Sequence, residues 1–179
     1  MEATSSLVGS STVEKYEGKH LIFELDNRGY GIPILTVNEI IGIMDVTKIP
    51  RAPVFIKGVI NLRGKVIPVM DLRLKFGMVE KEYDEQTCII IVNVELEKAT
   101  RQIGVIVDVV SEVVNIPATD IEPPPEFGRR RGDDFLNGVG KIKDKVVMLL
   151  NIQKIIYTED VIELLEEKTE DIKTKKRGA

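Results

Sequence analysis

The chain has 179 residues, with 25 Lys and Arg against 29 Asp and Glu, a formal net charge of −4 and an apolar fraction of 43%. That length holds one full domain or two small ones packed together; the slightly acidic balance argues against a nucleic-acid-binding surface. No apolar run approaches the ~20 residues needed to span a bilayer, no basic-then-apolar leader opens the chain, and the single cysteine, Cys88, has no partner for an internal disulfide, which together lead to the expectation of a soluble cytoplasmic protein.

Residues 1–14 are small and polar and read as a mobile arm. Residues 20–25 form a strand candidate, ended by the turn residues Asp26-Asn27-Arg28-Gly29. Two more short apolar runs follow at 30–35 and 37–44, and Pro50 and Pro53 punctuate a loop. Residues 58–62 and 66–70 then flank Arg63-Gly64-Lys65. Gly64 takes positive φ without steric cost, so a tight hairpin turn is expected there, with Arg63 held out at its tip. Val59, Ile67 and Val69 are β-branched and suit the pleated strands on either side. Residues 72–77 close the unit and 78–86 are a charged connection.

The pattern then begins again. Strands are expected at 88–94, 103–107 and 109–116, then a long loop at 117–134 with Pro123-Pro124-Pro125 and Arg129-Arg130-Arg131, then strands at 135–142 and 146–152. A shift of 135 − 55 = 80 aligns Phe55, Gly58, Val59, Lys65 and Val66 with Phe135, Gly138, Val139, Lys145 and Val146. A shift of 104 − 31 = 73 aligns Gly31, Val37, Glu39 and Ile43 with Gly104, Val110, Glu112 and Ile116. This reads as a duplicated β module; the seven-residue excess falls in the Pro/Arg-rich loop, where insertions cost little. Each half holds about five strands, enough for a small closed barrel without exposed sheet edges, and two such units need a shared apolar interface to be stable. The expected organisation is an arm at 1–14, a first β-barrel module at 15–82, a second at 83–157, a helix at 158–172 and a frayed tail at 173–179. The helix rests on Thr158-Glu159-Asp160 as cap and first-turn acids and on Val161, Leu164 and Leu165 at helical spacing.

Most candidate chemistry fails on spacing. Five residues separate Gly58 from Gly64 and Val66 follows Lys65, so the phosphate-binding loop pattern is not met; Gly138-Val139-Gly140 lacks a third glycine and a following helix. His20, the only histidine, reads as an exposed strand-end residue, and Cys88 as a small buried apolar one. One His and one Cys build no ordinary zinc site, no carboxylates are marked as an acid/base couple, and Arg129-Arg130-Arg131 is followed at once by Asp133-Asp134. Glu39, within Val37-x-Glu39-Ile40, and Arg63, on the hairpin tip, keep their charge sign in Glu112 and Lys143 of the second copy. They are either a surface ion pair of little energetic consequence or a charged frame around an apolar partner-binding patch.

Tyr30-Gly31-Ile32, Val37-x-Glu39-Ile40, the run from Phe55 through Asn61-Leu62-Arg63-Gly64, and Pro68-Val69-Met70-Asp71-Leu72-Arg73 together closely resemble the CheW family of bacterial chemotaxis coupling proteins, over about residues 16–165. The related regulatory domain of the kinase CheA belongs to a larger chain with a phosphoacceptor histidine and an ATP site, which this sequence lacks. The resemblance implies two five-stranded SH3/OB-like barrels packed at a hydrophobic waist, with strands able to exchange between them, and no enzymatic activity or cofactor. It implies contact with the helical-hairpin tips of chemoreceptors and with the CheA regulatory domain, and recruitment to receptor arrays under the inner membrane, with the membrane touched only through receptors. It places Glu39 and Arg63 at the receptor-facing surface, flanked by Ile34, Val37, Gly58 and Gly64, with Gly104, Val110 and Val113 from the second module. The Pro/Arg-rich loop matches no motif of the family. Two other classes stay open on the residues alone: an enzyme with a substrate in the groove between modules, and a coupling protein for a non-chemotactic receptor–kinase system.

Overall fold

A computed structural model describes residues 13–124, 135–158, 161–163 and 165. Eleven strands are described: β1 (Gly18–Leu25), β2 (Arg28–Pro33), β3 (Val37–Gly42), β4 (Ile56–Leu62), β5 (Lys65–Asp71), β6 (Cys88–Glu95), β7 (Thr100–Val107), β8 (Val109–Ile116), β9 (Ile121–Glu122), β10 (Leu136–Ile142) and β11 (Lys145–Leu150). Two short helices, α1 (Leu72–Lys75) and α2 (Ile152–Ile156), follow β5 and β11. The fold is all-β in character, as expected, and its strands form two sheets, one of five strands in the order β3-β6-β7-β5-β4 and one of six in the order β8-β1-β2-β11-β10-β9.

The duplication is written into the pairing. β5 runs parallel to β7 with Val69 opposite Gly104, and β11 runs parallel to β2 with Leu149 opposite Gly31. These are the same contact under the two sequence shifts, since 149 − 69 = 80 and 104 − 31 = 73. Bulges repeat as well: Asn38 and Ser111 are skipped in the β3–β6 and β8–β1 ladders, Lys57 and Asn137 in β4–β5 and β10–β11. Asp71 caps α1 by accepting from the Leu74 N–H, and Asn151 caps α2 by accepting from the Lys154 N–H. The sheets do not divide the chain where the repeats do. Hairpin β1–β2 lies in the sheet built from β8–β11, and hairpin β6–β7 in the sheet built from β3–β5, so each copy lends its first hairpin to the other. The chain crosses between sheets at a 3-10 turn, Ile34–Thr36, and at the single residue Asp108 between β7 and β8.

Side-chain alternation follows from this exchange. Leu21, Phe23 and Leu25 of β1 and Ile90, Val92 and Val94 of β6 point into one large core shared by both sheets. The intervening Ile22 and the pair Ile89 and Ile91 point into a smaller core on the far side of each sheet. Strands covered on both faces need apolar residues at nearly every position, which explains the unbroken Cys88-Ile89-Ile90-Ile91-Val92. A file of rings, Phe23, Tyr30, Phe76 and Phe135, runs across the waist at centroid spacings of 5.9, 6.0 and 5.4 Å.

Among the described strands the five-stranded sheet ends at β3 and β4, and a Thr47–Val59 bridge from the segment after β3 draws these edges together. Several residue-level expectations are corrected. His20 is buried, with 2% exposure, because β2 and β8 flank β1 on both sides. Cys88 is half-buried, its thiol donating to the Gln86 carbonyl. Val13, within the expected arm, is helical and packs into the small core beside Ile116 and Ile121. Within the expected C-terminal helix, residues 161–163 and 165 are helical and Val161 and Leu165 join the shared core. Residues 159–160, Leu164, residues 166–172 of that helix, the tail, residues 1–12 and Arg129-Arg130-Arg131 lie outside the described residues.

Candidate functional site

The β4–β5 turn is the local reason Arg63 stands out from the surface. Arg63 and Gly64 take φ of 51° and 85°, the left-handed pair that matches strand twist in a two-residue hairpin. The Asn61 side chain accepts from the Gly64 N–H and braces the turn. Behind it, Gly58 has φ of 144°, and a Cβ there would fall 1.9 Å from the Thr47 carbonyl oxygen. No other residue allows the Thr47–Val59 bridge to form, so Gly58 fixes the base of the hairpin.

The Arg63 guanidinium donates to the Glu39 carboxylate. Arg63 is 71% exposed at its side chain and Glu39 26%. The equivalent Glu112 and Lys143 do not form an ion pair among the described residues, although Lys143 repeats the turn with φ of 55°. Among the described residues the Glu39–Arg63 pair thus has no equivalent at the matching positions of the second copy, where Lys141 pairs with Glu122 instead.

The other expected site residues divide by burial. Gly64 and Val113 are exposed, Val113 at 51%. Ile34, Val37 and Val110 are half-buried and rest on the shared core from the two sheets. Gly58 and Gly104 are buried, and a Cβ on Gly104 would meet Ile89 at 2.7 Å; their effect on a surface is through the packing beneath it. Glu39 and Arg63 lie on the five-stranded sheet and Val110 and Val113 on the six-stranded one. Leu35, in the turn between Ile34 and Val37, is 93% exposed and was not singled out by the sequence pattern.

A second polar constellation also escaped the sequence pattern. Arg73 of α1 pairs with Asp108 at 2.7 Å, with side chains only 11% and 12% exposed. The one available signal was the charge of Asp108 interrupting the apolar Ile103–Val110 stretch. Nearby, the Tyr83 hydroxyl donates to the Asp71 carboxylate at 2.7 Å, tying down the connection between copies. Burial and then that bonded carboxylate push the Tyr83 phenol well above its ordinary range. Among the described residues no group of three or more His, Cys, Asp or Glu side chains is arranged to hold a metal ion, and no helix is long and apolar enough to cross a membrane.

A duplicated two-sheet β scaffold whose copies exchange their first hairpins defines the class. The chain belongs to the CheW-like domain family, whose model matches residues 19–160. It is 40% identical over 160 residues to the chemotaxis protein CheW of Klebsiella aerogenes, covering 87% of this chain and 94% of that one. It is 34% identical to the chemotaxis protein CheW of Helicobacter pylori over 75% of this chain and 78% of that one, and 30% identical to protein FrzA of Myxococcus xanthus over 79% and 87%. Among solved structures, the scaffolding protein TtCheW of Thermoanaerobacter tengcongensis matches with a TM-score of 0.71 and 36% identity, covering 80% of this chain and 95% of that one.

Proposed function

We propose that this chain is a chemotaxis adaptor that couples transmembrane chemoreceptors to the histidine kinase CheA through protein–protein contacts and without catalysis. Family membership supports the adaptor role, and the observation that carries the receptor contact is the Glu39–Arg63 pair. An ion pair open to water adds little to fold stability, whereas an arginine held at a hairpin tip is suited to orienting and discriminating a partner. The occupant is the helical-hairpin tip of a receptor, laid against aliphatic side chains. Glu39, Arg63, Gly64 and Val113 form the outer contact, Ile34, Val37 and Val110 its floor, and Gly58 and Gly104 the packing below.

In this reading the functional units are the two repeats, 15–82 and 83–157, with their first hairpins exchanged. The protein works in the cytoplasm and reaches the inner membrane only through receptors, with the kinase regulatory domain engaged by other surfaces. Co-sedimentation with receptor-containing membranes, with and without kinase, while kinase autophosphorylation is followed, tests the proposal. Retention by receptor membranes and a change in kinase output are expected; sedimentation equal to that with receptor-free membranes overturns it.

A further inference from the structure

The receptor-facing surface proposed above is shared between two sheets, so its shape depends on how the sheets stand relative to each other. An apolar core holds surfaces together without direction; hydrogen bonds between them fix angle and register. Among the described residues, two such directional links join the sheets. Asp108, 9% exposed, sits at the single-residue crossover from β7 to β8. Its Oδ2 accepts from the Arg73 guanidinium of α1 at 2.7 Å and from the Asp26 main-chain N–H, in the β1–β2 turn of the other sheet, at 2.9 Å. The Asp108 N–H donates to the Glu24 carbonyl at 3.1 Å, and the Arg73 Nε donates to the Val79 carbonyl at 3.0 Å, so neither charge hangs free.

The second link is the counterpart of the first. Gln153 of α2 stands at the position of Arg73, 153 − 73 = 80. Its Nε2 donates to the Glu95 carbonyl at 2.8 Å and its Oε1 accepts from the Glu95 N–H at 3.0 Å. Glu95 ends β6 in the five-stranded sheet and corresponds to Asp26, because Ile22 and Ile91 share a register and 91 − 22 = 95 − 26 = 69. Each short helix therefore clasps the hairpin turn that belongs to the opposite sheet. The crossovers themselves differ: the residue matching Asp108 is Leu35, 108 − 35 = 73, and it is 93% exposed.

We propose that Asp108, with Gln153 as its counterpart, is a positioning residue for the partner-facing surface: the two clasps set the Glu39–Arg63 half against the Val110–Val113 half. The proposal rests on the functional reading only for what the surface does. Spin labels placed by Val66→Cys and Val146→Cys, one on each sheet, in a Cys88→Ala background read the sheet-to-sheet distance in the free protein. The parent gives one narrow distance distribution. Arg73→Gln with Asp108→Asn removes both charges together, leaving no orphaned ion. This pair of changes shifts or broadens the distribution, and adding Gln153→Ala broadens it further. Amide exchange at Asp26 and Glu95 quickens at least tenfold while β6 and β7 stay protected. An unchanged distribution in the triple variant overturns the proposal. Should that variant fail to fold, Gln153→Ala alone decides in the same way: broadening supports the clasp and an unchanged distance overturns it. Receptor capture by the parent, measured separately, bears only on the functional reading.

Discussion

Glu39 of β3 and Arg63, in the turn of the β4–β5 hairpin, sit at opposite edges of the same sheet, yet their side chains meet across its seam. The sheet coils until β3 faces the β4–β5 hairpin, the Thr47–Val59 bridge draws the edges together, and the ion pair forms outside it. The pair therefore marks a place where the backbone hydrogen bonding of the described strands stops.

Arg63→Glu sets two carboxylates against each other at the lip. Loss of an exposed pair costs ~0–1 kcal/mol, so the thermal midpoint moves by only a few degrees. Receptor capture falls at least tenfold. A Glu39→Arg, Arg63→Glu double exchange restores the midpoint but not capture, because the partner sees reversed charge; both are read by melting and co-sedimentation.

Gly58→Ala places a methyl group 1.9 Å from a main-chain oxygen at a φ of 144°. The Thr47–Val59 bridge breaks, and destabilisation of about 2 kcal/mol or more follows, as for other substitutions that combine strain with overpacking. Gly138→Ala in the second copy meets the Glu122 carbonyl at the milder 2.8 Å and costs less. Denaturant midpoints of the two variants rank them.

Acid weakens the fold through His20. Its Nδ1–H donates to the Gly18 carbonyl at 2.9 Å, and Nε2 is buried without a partner among the described groups. Burial therefore lowers its pKa below 6.5, against the opposing effect of that hydrogen bond. The unfolded chain binds the proton more readily, so stability is full above pH 6.5 and declines as pH falls toward the lowered folded value. His20→Gln flattens that limb of the stability profile.

Tyr83→Phe deletes the hydroxyl that bonds Asp71 and costs about 1 kcal/mol. The same bond predicts that Tyr83 ionises late in an alkaline titration, together with Tyr30, whose pKa burial also raises. Stability contributed by these neutral phenols is full below the ordinary tyrosine value and is lost as pH rises from there toward their raised values, and difference absorbance of the parent and Tyr83→Phe separates the two groups.

Strand positions were legible in the sequence because β-branched runs and turn residues alternate sharply, and the duplication was legible because the second copy keeps its glycines in register. The exchange of hairpins was harder to read, since Ile89, Ile90 and Ile91 look the same whichever sheet receives them. Glu39 and Arg63 stood out by their kept charge sign and by the hairpin turn that sets Arg63 at a tip, and the resemblance then pointed them toward a receptor-facing surface. His20 was misread as exposed because burial on both faces of β1 depends on β8, which is distant in the chain. Asp108 and Arg73 were passed over for a similar reason: a buried acid at a crossover has no local periodicity to announce it.

Because β3 to β7 form an unbroken segment, 37–107, every strand of one sheet has been synthesised before β8 begins. Among the described strands, hairpin β1–β2 is made first but has no lasting neighbour until β8 begins, 109 − 33 = 76 residues after the hairpin ends, and β11 follows later still. A nascent chain thus completes its five-stranded sheet before its six-stranded one, and hairpin β1–β2 travels exposed, open to pairing with a wrong edge on a neighbouring chain.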